Sequence, residues 1–162
     1  MTKEITITST FKVYSSVNEL TDIYKNLCLS AQTILKNAYA PYSNFFVGAA
    51  VLLDDGTVVT GTNQENAAYP SGLCAERVAI FYASSVHPTK KVVAVAVATK
   101  SNRPNATSTP TPPCGACRQA LSEYEVKSHT PIKILMLGEN GEVYESQSVA
   151  NLLPLMFSSE SF

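Results

Sequence analysis

The chain has 162 residues, 45% of them apolar and 15% charged, with 7 Gly and 9 Pro; that composition excludes disordered, collagen-like and coiled-coil classes. A chain of this length makes one domain, residues 1–162, and buries about 68–70% of its surface, so it needs no disulfide or metal merely to fold. Twelve Lys and Arg stand against thirteen Asp and Glu for a net charge of −1 with no basic block, which argues against nucleic acid as a partner.

From the N-terminus, Ile5, Ile7, Phe11 and Val13 alternate with polar neighbours and predict an extended or edge segment. Met1 to Thr8 lack the long apolar stretch of a signal peptide, so the expected location is cytoplasmic. Residues up to about 17 read as an N-terminal extension. Ser16-Val17-Asn18-Glu19 has the form of a capping box, and Leu20, Ile23, Tyr24, Leu27, Ala31, Ile34, Leu35 and Ala38 then lay out one apolar helix face ending before Pro41. Cys28 sits at the edge of that face as a small buried hydrophobe. Val47 to Leu53 and Thr57 to Thr60 flank Asp54-Asp55-Gly56 and predict a hairpin. Leu73 to Ser84 reads as a largely buried helix. Val92 to Ala98 is a β-branched run that predicts a central strand, and it is too short to cross a bilayer.

Residues 99 to 113 hold Pro104, Pro110, Pro112 and Pro113 and are expected to be irregular. Cys114 to Tyr124 then predicts a short helix, Ile132 to Leu137 a buried strand, Val143 to Glu145 a hairpin strand after Asn140-Gly141, and Val149 to Leu153 a last helical turn. Helices between buried strands imply crossovers, so the predicted fold is a three-layer α/β/α domain around a five-stranded mixed sheet.

The four cysteines carry the chemical signal, because in a reducing compartment they are thiolates, metal ligands or core residues rather than disulfides. Cys114-Gly115-Ala116-Cys117 alone admits a redox pair or half of a zinc site. Cys74-Ala75-Glu76 opens the other buried helix, and first-turn residues of two helices can converge on one point off the helix ends. Three thiolates leave the fourth position of Zn²⁺ open, as in catalytic sites, with Glu76 beside it to carry protons. Cys-x-Glu followed by Pro-Cys-x-x-Cys resembles the pattern of the zinc deaminases. Three thiolates and Zn²⁺ sum to one net negative charge, which Arg77, as a fork donor beside Glu76, can offset through the ligand sulfurs; Arg118 is a second candidate for that role.

From about Ala40 to Phe157 the sequence resembles the free-nucleoside cytidine deaminases of the short, homotetrameric type. The resemblance rests on Tyr42-Ser43-Asn44-Phe45-Phe46-Val47-Gly48-Ala49-Ala50, Thr60-Gly61-Thr62-Asn63-Gln64-Glu65-Asn66-Ala67-Ala68-Tyr69-Pro70, Cys74-Ala75-Glu76-Arg77, Pro113-Cys114-Gly115-Ala116-Cys117-Arg118-Gln119 and Leu152-Leu153-Pro154. It implies one Zn²⁺ per chain on Cys74, Cys114 and Cys117, and deamination of cytidine or deoxycytidine in pyrimidine salvage. It further implies that Asn63 and Glu65 hold a ribose hydroxyl, Phe45 packs on the pyrimidine and the Ala75 N–H holds the base carbonyl. Glu76 is implied to protonate N3 as water attacks C4, and then the departing ammonia. The implied assembly is a homotetramer, or a homodimer, in which Phe157 reaches a neighbour's site.

Other readings remain at this stage. The zinc motifs alone also fit deaminases of related aminopyrimidine nucleosides such as blasticidin S. A structural zinc module using Cys28 as a fourth ligand, and a thioredoxin-like redox site at Cys114 and Cys117, are the competitors from other classes. The chain departs from the family pattern at Pro112, where Ser is usual, at Gln64, where an aliphatic residue is usual, and in the length of its first forty residues and of the 99 to 112 loop.

Overall fold

Strands that are apolar on both faces must be covered on both, and this requirement sets the layers of the molecule. The computed structural model describes residues 2–103 and 108–161. Its strands are β1 (Lys12–Tyr14), β2 (Phe45–Leu53), β3 (Val58–Thr62), β4 (Val92–Ser101), β5 (Lys133–Leu137) and β6 (Val143–Ser146). The helices are α1 (Asp22–Ile34), α2 (Ala75–Val86) and α3 (Gly115–Ser128). The strands form one mixed sheet in the order β1-β6-β5-β4-β2-β3, in which only β4 and β5 are parallel neighbours.

Alternation along the strands divides the core in two. Ala49, Val51, Val95, Val97, Ile134 and Met136 meet α2 and α3 on one face. Ala50, Leu52, Ala94, Ala96, Ala98, Leu135 and Leu137 face the other way, toward Leu27, Cys28 and Ala31 of α1. Alanines at four of those positions let α1 lie close. Gly48 carries this furthest, since a Cβ there would meet the Ala31 carbonyl oxygen at 2.2 Å.

The sheet has six strands, not the predicted five. Lys12, Val13 and Tyr14 pair antiparallel with Glu145, Tyr144 and Val143. Three residues are too few to show a period, and β1 is held by contacts distant in sequence: Tyr14 donates its hydroxyl to Glu145 at 3.3 Å and Lys12 Nζ lies 3.7 Å from the same carboxylate. Other boundaries move as well. Ser16 accepts from the Asn18 N–H and Glu19 from the Ser15 N–H, but they cap a 3₁₀ turn, Val17–Glu19, and α1 begins only at Asp22. β4 runs on to Ser101, into the stretch expected to be irregular, because Phe45, Phe46 and Val47 of β2 pair with Ser101, Lys100 and Thr99. The irregularity expected at Pro104 falls outside the described residues. α3 continues past Tyr124 to Ser128, the helical turn expected at Val149 to Leu153 is a 3₁₀ turn, Ala150–Leu152, and a further 3₁₀ turn, Ser159–Ser161, follows it.

Among the described residues no helix is long and apolar enough to cross a membrane.

Candidate metal centre and substrate cleft

β3 and β4 both run antiparallel to β2 and therefore point the same way, so the helices that follow them, α2 and α3, start at the same end of the sheet. Cys74 and Cys114 are the N-cap residues of those two helices, and Cys117 lies in the first turn of α3. The three sulfurs lie within 4.8 Å of one another, with Cys74 and Cys114 at 3.9 Å and Cys114 and Cys117 at 3.5 Å. Tetrahedral zinc with Zn–S bonds near 2.3 Å sets its sulfurs ~3.8 Å apart, which the cluster fits. Cys28 is fully buried in the core on the α1 side of the sheet, where burial pushes its thiol up to about 12. It is not a fourth ligand, and the structural module built on it is excluded.

The charges suit a cation held by thiolates. Arg77 Nη2 lies 3.7 Å from Cys74 Sγ, and its buried Nε has no hydrogen-bond partner among the described residues. Hydrogen bonds from Cys117, Arg77 and Cys114 bring the Cys74 thiol down to about 5 against the effect of burial, while the hydrogen bond to Cys74, then burial, push the Cys117 thiol up. Arg118 does not join this group: its Nε donates to the Pro113 carbonyl at 2.8 Å and its Nη1 to the Leu152 carbonyl at 3.0 Å. It ties the loop before Cys114 to the 3₁₀ turn near the C-terminus instead of touching sulfur.

Glu76, 4% exposed, stands in the first turn of α2. Burial first, and then the Cys74 charge, hold its carboxyl above the ordinary glutamate range. Ala75 precedes it at the first helical position, where a backbone N–H has no partner within the helix. A cleft of about 620 Å³ opens in front of the cysteines, and Glu76, Cys74, Cys114, Phe45, Asn63 and Glu65 all border it. Cys117 is buried behind that surface.

The residues from β3 and the segment after it are wired into the strand opposite. Asn63 accepts from the Val47 N–H and donates to the Phe45 carbonyl, both at 2.8 Å. Its amide keeps one N–H and one lone pair beyond these bonds. Glu65 Oε2 accepts from the Tyr42 N–H at 2.9 Å and the Ser43 N–H at 3.2 Å. Burial works to raise the Glu65 carboxyl, but the Ser43 hydroxyl, these two N–H groups and the charge of Arg103 outweigh it and hold the carboxyl low. The structure also brings to the cleft residues that sequence reading passed over: Arg103, Thr99 and Thr111, and at the mouth Tyr42 and Tyr69, whose ring centres are 6.2 Å apart. Phe157 does not line the cleft of its own chain. It is 64% exposed, and its carbonyl accepts from the Gln119 side chain.

An α/β scaffold that brings three thiols to the starts of two helices beside a buried carboxylate and an open cleft has the donor set and proton carrier that metal-dependent hydrolases use. Comparison with known proteins narrows the class. Residues 22–131 match the family model described as cytidine and deoxycytidylate deaminase zinc-binding region. The chain is 42% identical over 125 residues to the cytidine deaminase of Halalkalibacterium halodurans, covering 77% of this chain and 86% of that one. It is 40% identical over 138 residues to that of Sporosarcina psychrophila, covering 84% and 92%. Among solved structures, the cytidine deaminase from Burkholderia pseudomallei superimposes with a TM-score of 0.72 at 36% identity, covering 85% of this chain and all of that one. The chain belongs to the cytidine deaminase family.

Proposed function

We propose that the protein is a zinc-dependent deaminase of free cytidine and deoxycytidine that releases ammonia and serves pyrimidine salvage, with one zinc per chain. The observation that carries the reading is the meeting of Cys74, Cys114 and Cys117 with buried Glu76 at the head of a nucleoside-sized cleft. Bound there, zinc supplies a Lewis acid that lowers the pKa of water toward ~7 and so provides the nucleophile at neutral pH.

The rest of the chemistry belongs to side chains. Glu76 takes a proton from the attacking water and delivers it to N3 as the oxygen adds to C4. It then moves the second proton to the amino group, which leaves as ammonia while C4 becomes a carbonyl. A carboxyl lifted by burial suits this work, because it holds a proton more readily than an exposed glutamate and can still return it. Arg77 offsets the charge of the sulfurs. Phe45 packs on the base, the Ala75 N–H holds its carbonyl, and Asn63 and Glu65 hold a ribose hydroxyl. A bare base leaves those two polar groups unmatched, which favours nucleosides over cytosine. Residues 1–162 act as one domain, and the subunits assemble as a homotetramer in which Phe157 completes a neighbour's cleft. Exposed Tyr69, Phe81, Tyr82 and Phe157 support that assembly, since a subunit contact would take such large apolar side chains out of water.

The test is loss of cytidine absorbance by Glu76→Gln, expected to fall ~10²–10⁴-fold or more while metal content and uridine binding persist. Near-parental turnover overturns the mechanism, and efficient deamination of free cytosine overturns the substrate. For the assembly, Glu76→Gln refolded together with a weakened Phe157→Ala variant is expected to exceed the summed parental activities. Hybrids that gain nothing place Phe157 outside its neighbour's site.

A further inference from the structure

The turn that leads into β2 is held by bonds from both sides. Asn44 adopts a left-handed backbone, φ 52°, a conformation that Asn tolerates better than most residues with a side chain and that the bonds around it hold in place. Two donors of this turn, the Tyr42 and Ser43 N–H groups, end on Glu65. Its acceptors are met from another part of the chain. Arg103 Nε donates to the Ser43 carbonyl at 2.5 Å, and the Asn102 N–H donates to the Asn44 carbonyl at 3.1 Å. Arg103 comes from the long connection between β4 and α3, borders the same cleft and lies near enough to act on the Glu65 charge.

We infer that Arg103 is a positioning residue for the sugar-binding side of the cleft: by gripping Ser43 opposite Glu65, it fixes the carboxylate that meets the ribose hydroxyl. This rests on the reading of Glu65 given above and extends it to a residue outside the family motifs. A guanidinium suits the task, because it holds a carbonyl with one N–H and keeps its charge beside the carboxylate at every working pH. Loss of Arg103 removes the donor on the Ser43 carbonyl and leaves the Asn102 N–H as the remaining bond from that connection to the turn, so Glu65 samples more orientations and spends binding free energy to regain the right one. The zinc ligands and Glu76 lie on α2 and α3 and do not depend on this grip, so the loss falls on substrate binding.

The experiment compares the zinc-loaded parent, Arg103→Met, Arg103→Lys and Glu65→Gln with cytidine, 2′-deoxycytidine and 3′-deoxycytidine, with zinc content and melting temperature recorded for each. Arg103→Met is expected to lower kcat/KM for cytidine about tenfold, carried by KM, a size in keeping with one charge-assisted hydrogen bond. The penalty for removing the hydroxyl that Glu65 holds should shrink by a similar factor in Arg103→Met and return in part in Arg103→Lys. An equal loss with all three nucleosides, or a loss in kcat alone, overturns the role of Arg103 while leaving Glu65 in place. If the parent and Glu65→Gln respond alike to both missing hydroxyls, the ribose reading of Glu65 falls, and the role of Arg103 with it.

Discussion

Gly61→Ala tests whether the catalytic helix is set by the sheet beneath it. A Cβ at Gly61 would stand 2.6 Å from the Ala79 backbone N and 2.9 Å from the Ala75 carbonyl oxygen, against 3.4 Å where ordinary contact begins. Both atoms belong to α2, so no flexible side chain can yield, and the helix must move off β3 by about half to one ångström. The Ala75 carbonyl lies between Cys74 and Glu76, so the displacement reaches the thiol and the carboxylate directly. Overpacking of this kind costs about 1–3 kcal/mol, and a misplacement near 1 Å lowers rate by up to about 10²-fold. Gly48→Ala is the control. Its Cβ would meet the Ala31 carbonyl oxygen at 2.2 Å, a worse clash, but against α1, which bears none of the site residues. Urea unfolding, kcat and zinc per chain are measured for both. Gly61→Ala is expected to lose kcat tenfold or more with a moderate drop in stability, and Gly48→Ala to lose more stability while its folded fraction keeps most of its turnover. Parental kcat in Gly61→Ala, or the opposite ranking of the two variants, refutes the reasoning.

In native protein with zinc bound, thiol titration should find Cys28 unreactive and the other three slow; a chelator should make three thiols react, and Cys28→Ser should leave both zinc and turnover unchanged. Glu145, 2% exposed, accepts from Tyr14 and lies 3.2 Å from Lys133 Nζ, so Glu145→Gln should lower unfolding stability by about 1–3 kcal/mol. Because Glu145 shares the α1 side of β6 with Val143, kcat should hold; a matching loss of kcat would place that carboxylate in the function of the site.

The sequence showed most clearly what short-range patterns carry. Continuous apolar runs at β4 and β5 marked buried strands, Asp54-Asp55-Gly56 marked the turn between β2 and β3, and the thiols at the starts of α2 and α3 marked a shared centre. What it hid depends on distant partners. β1 exists because Glu145 receives Tyr14 and Lys12, and no local period in three residues announces that. Arg118 looked like a sulfur partner from its place beside Cys117, yet its reach across to Leu152 decides what it does. Asn63 and Glu65 stood out only within a motif, and their bonds, Asn63 to the β2 backbone and Glu65 to the turn before it, join segments distant in sequence, which spacing alone does not reveal. Arg103 sits in a proline-rich connection where a single sequence gives no sign that a charge is placed on purpose.

The short first strand also bears on how the protein behaves in a crowded solution. A sheet edge exposes a row of unpaired N–H and C=O groups on which a strand from another molecule can grow. Val13 covers that row on β6, while β1 itself is only three residues long, carries Lys12 and offers a poor template in its place. A chain cut after Tyr14 leaves β6 bare beside Glu145, a buried carboxylate that has lost two partners. Such a protein should still turn over substrate, since its cleft lies on the other side of the sheet, but should aggregate on standing, in a manner that light scattering follows and added β1 peptide suppresses.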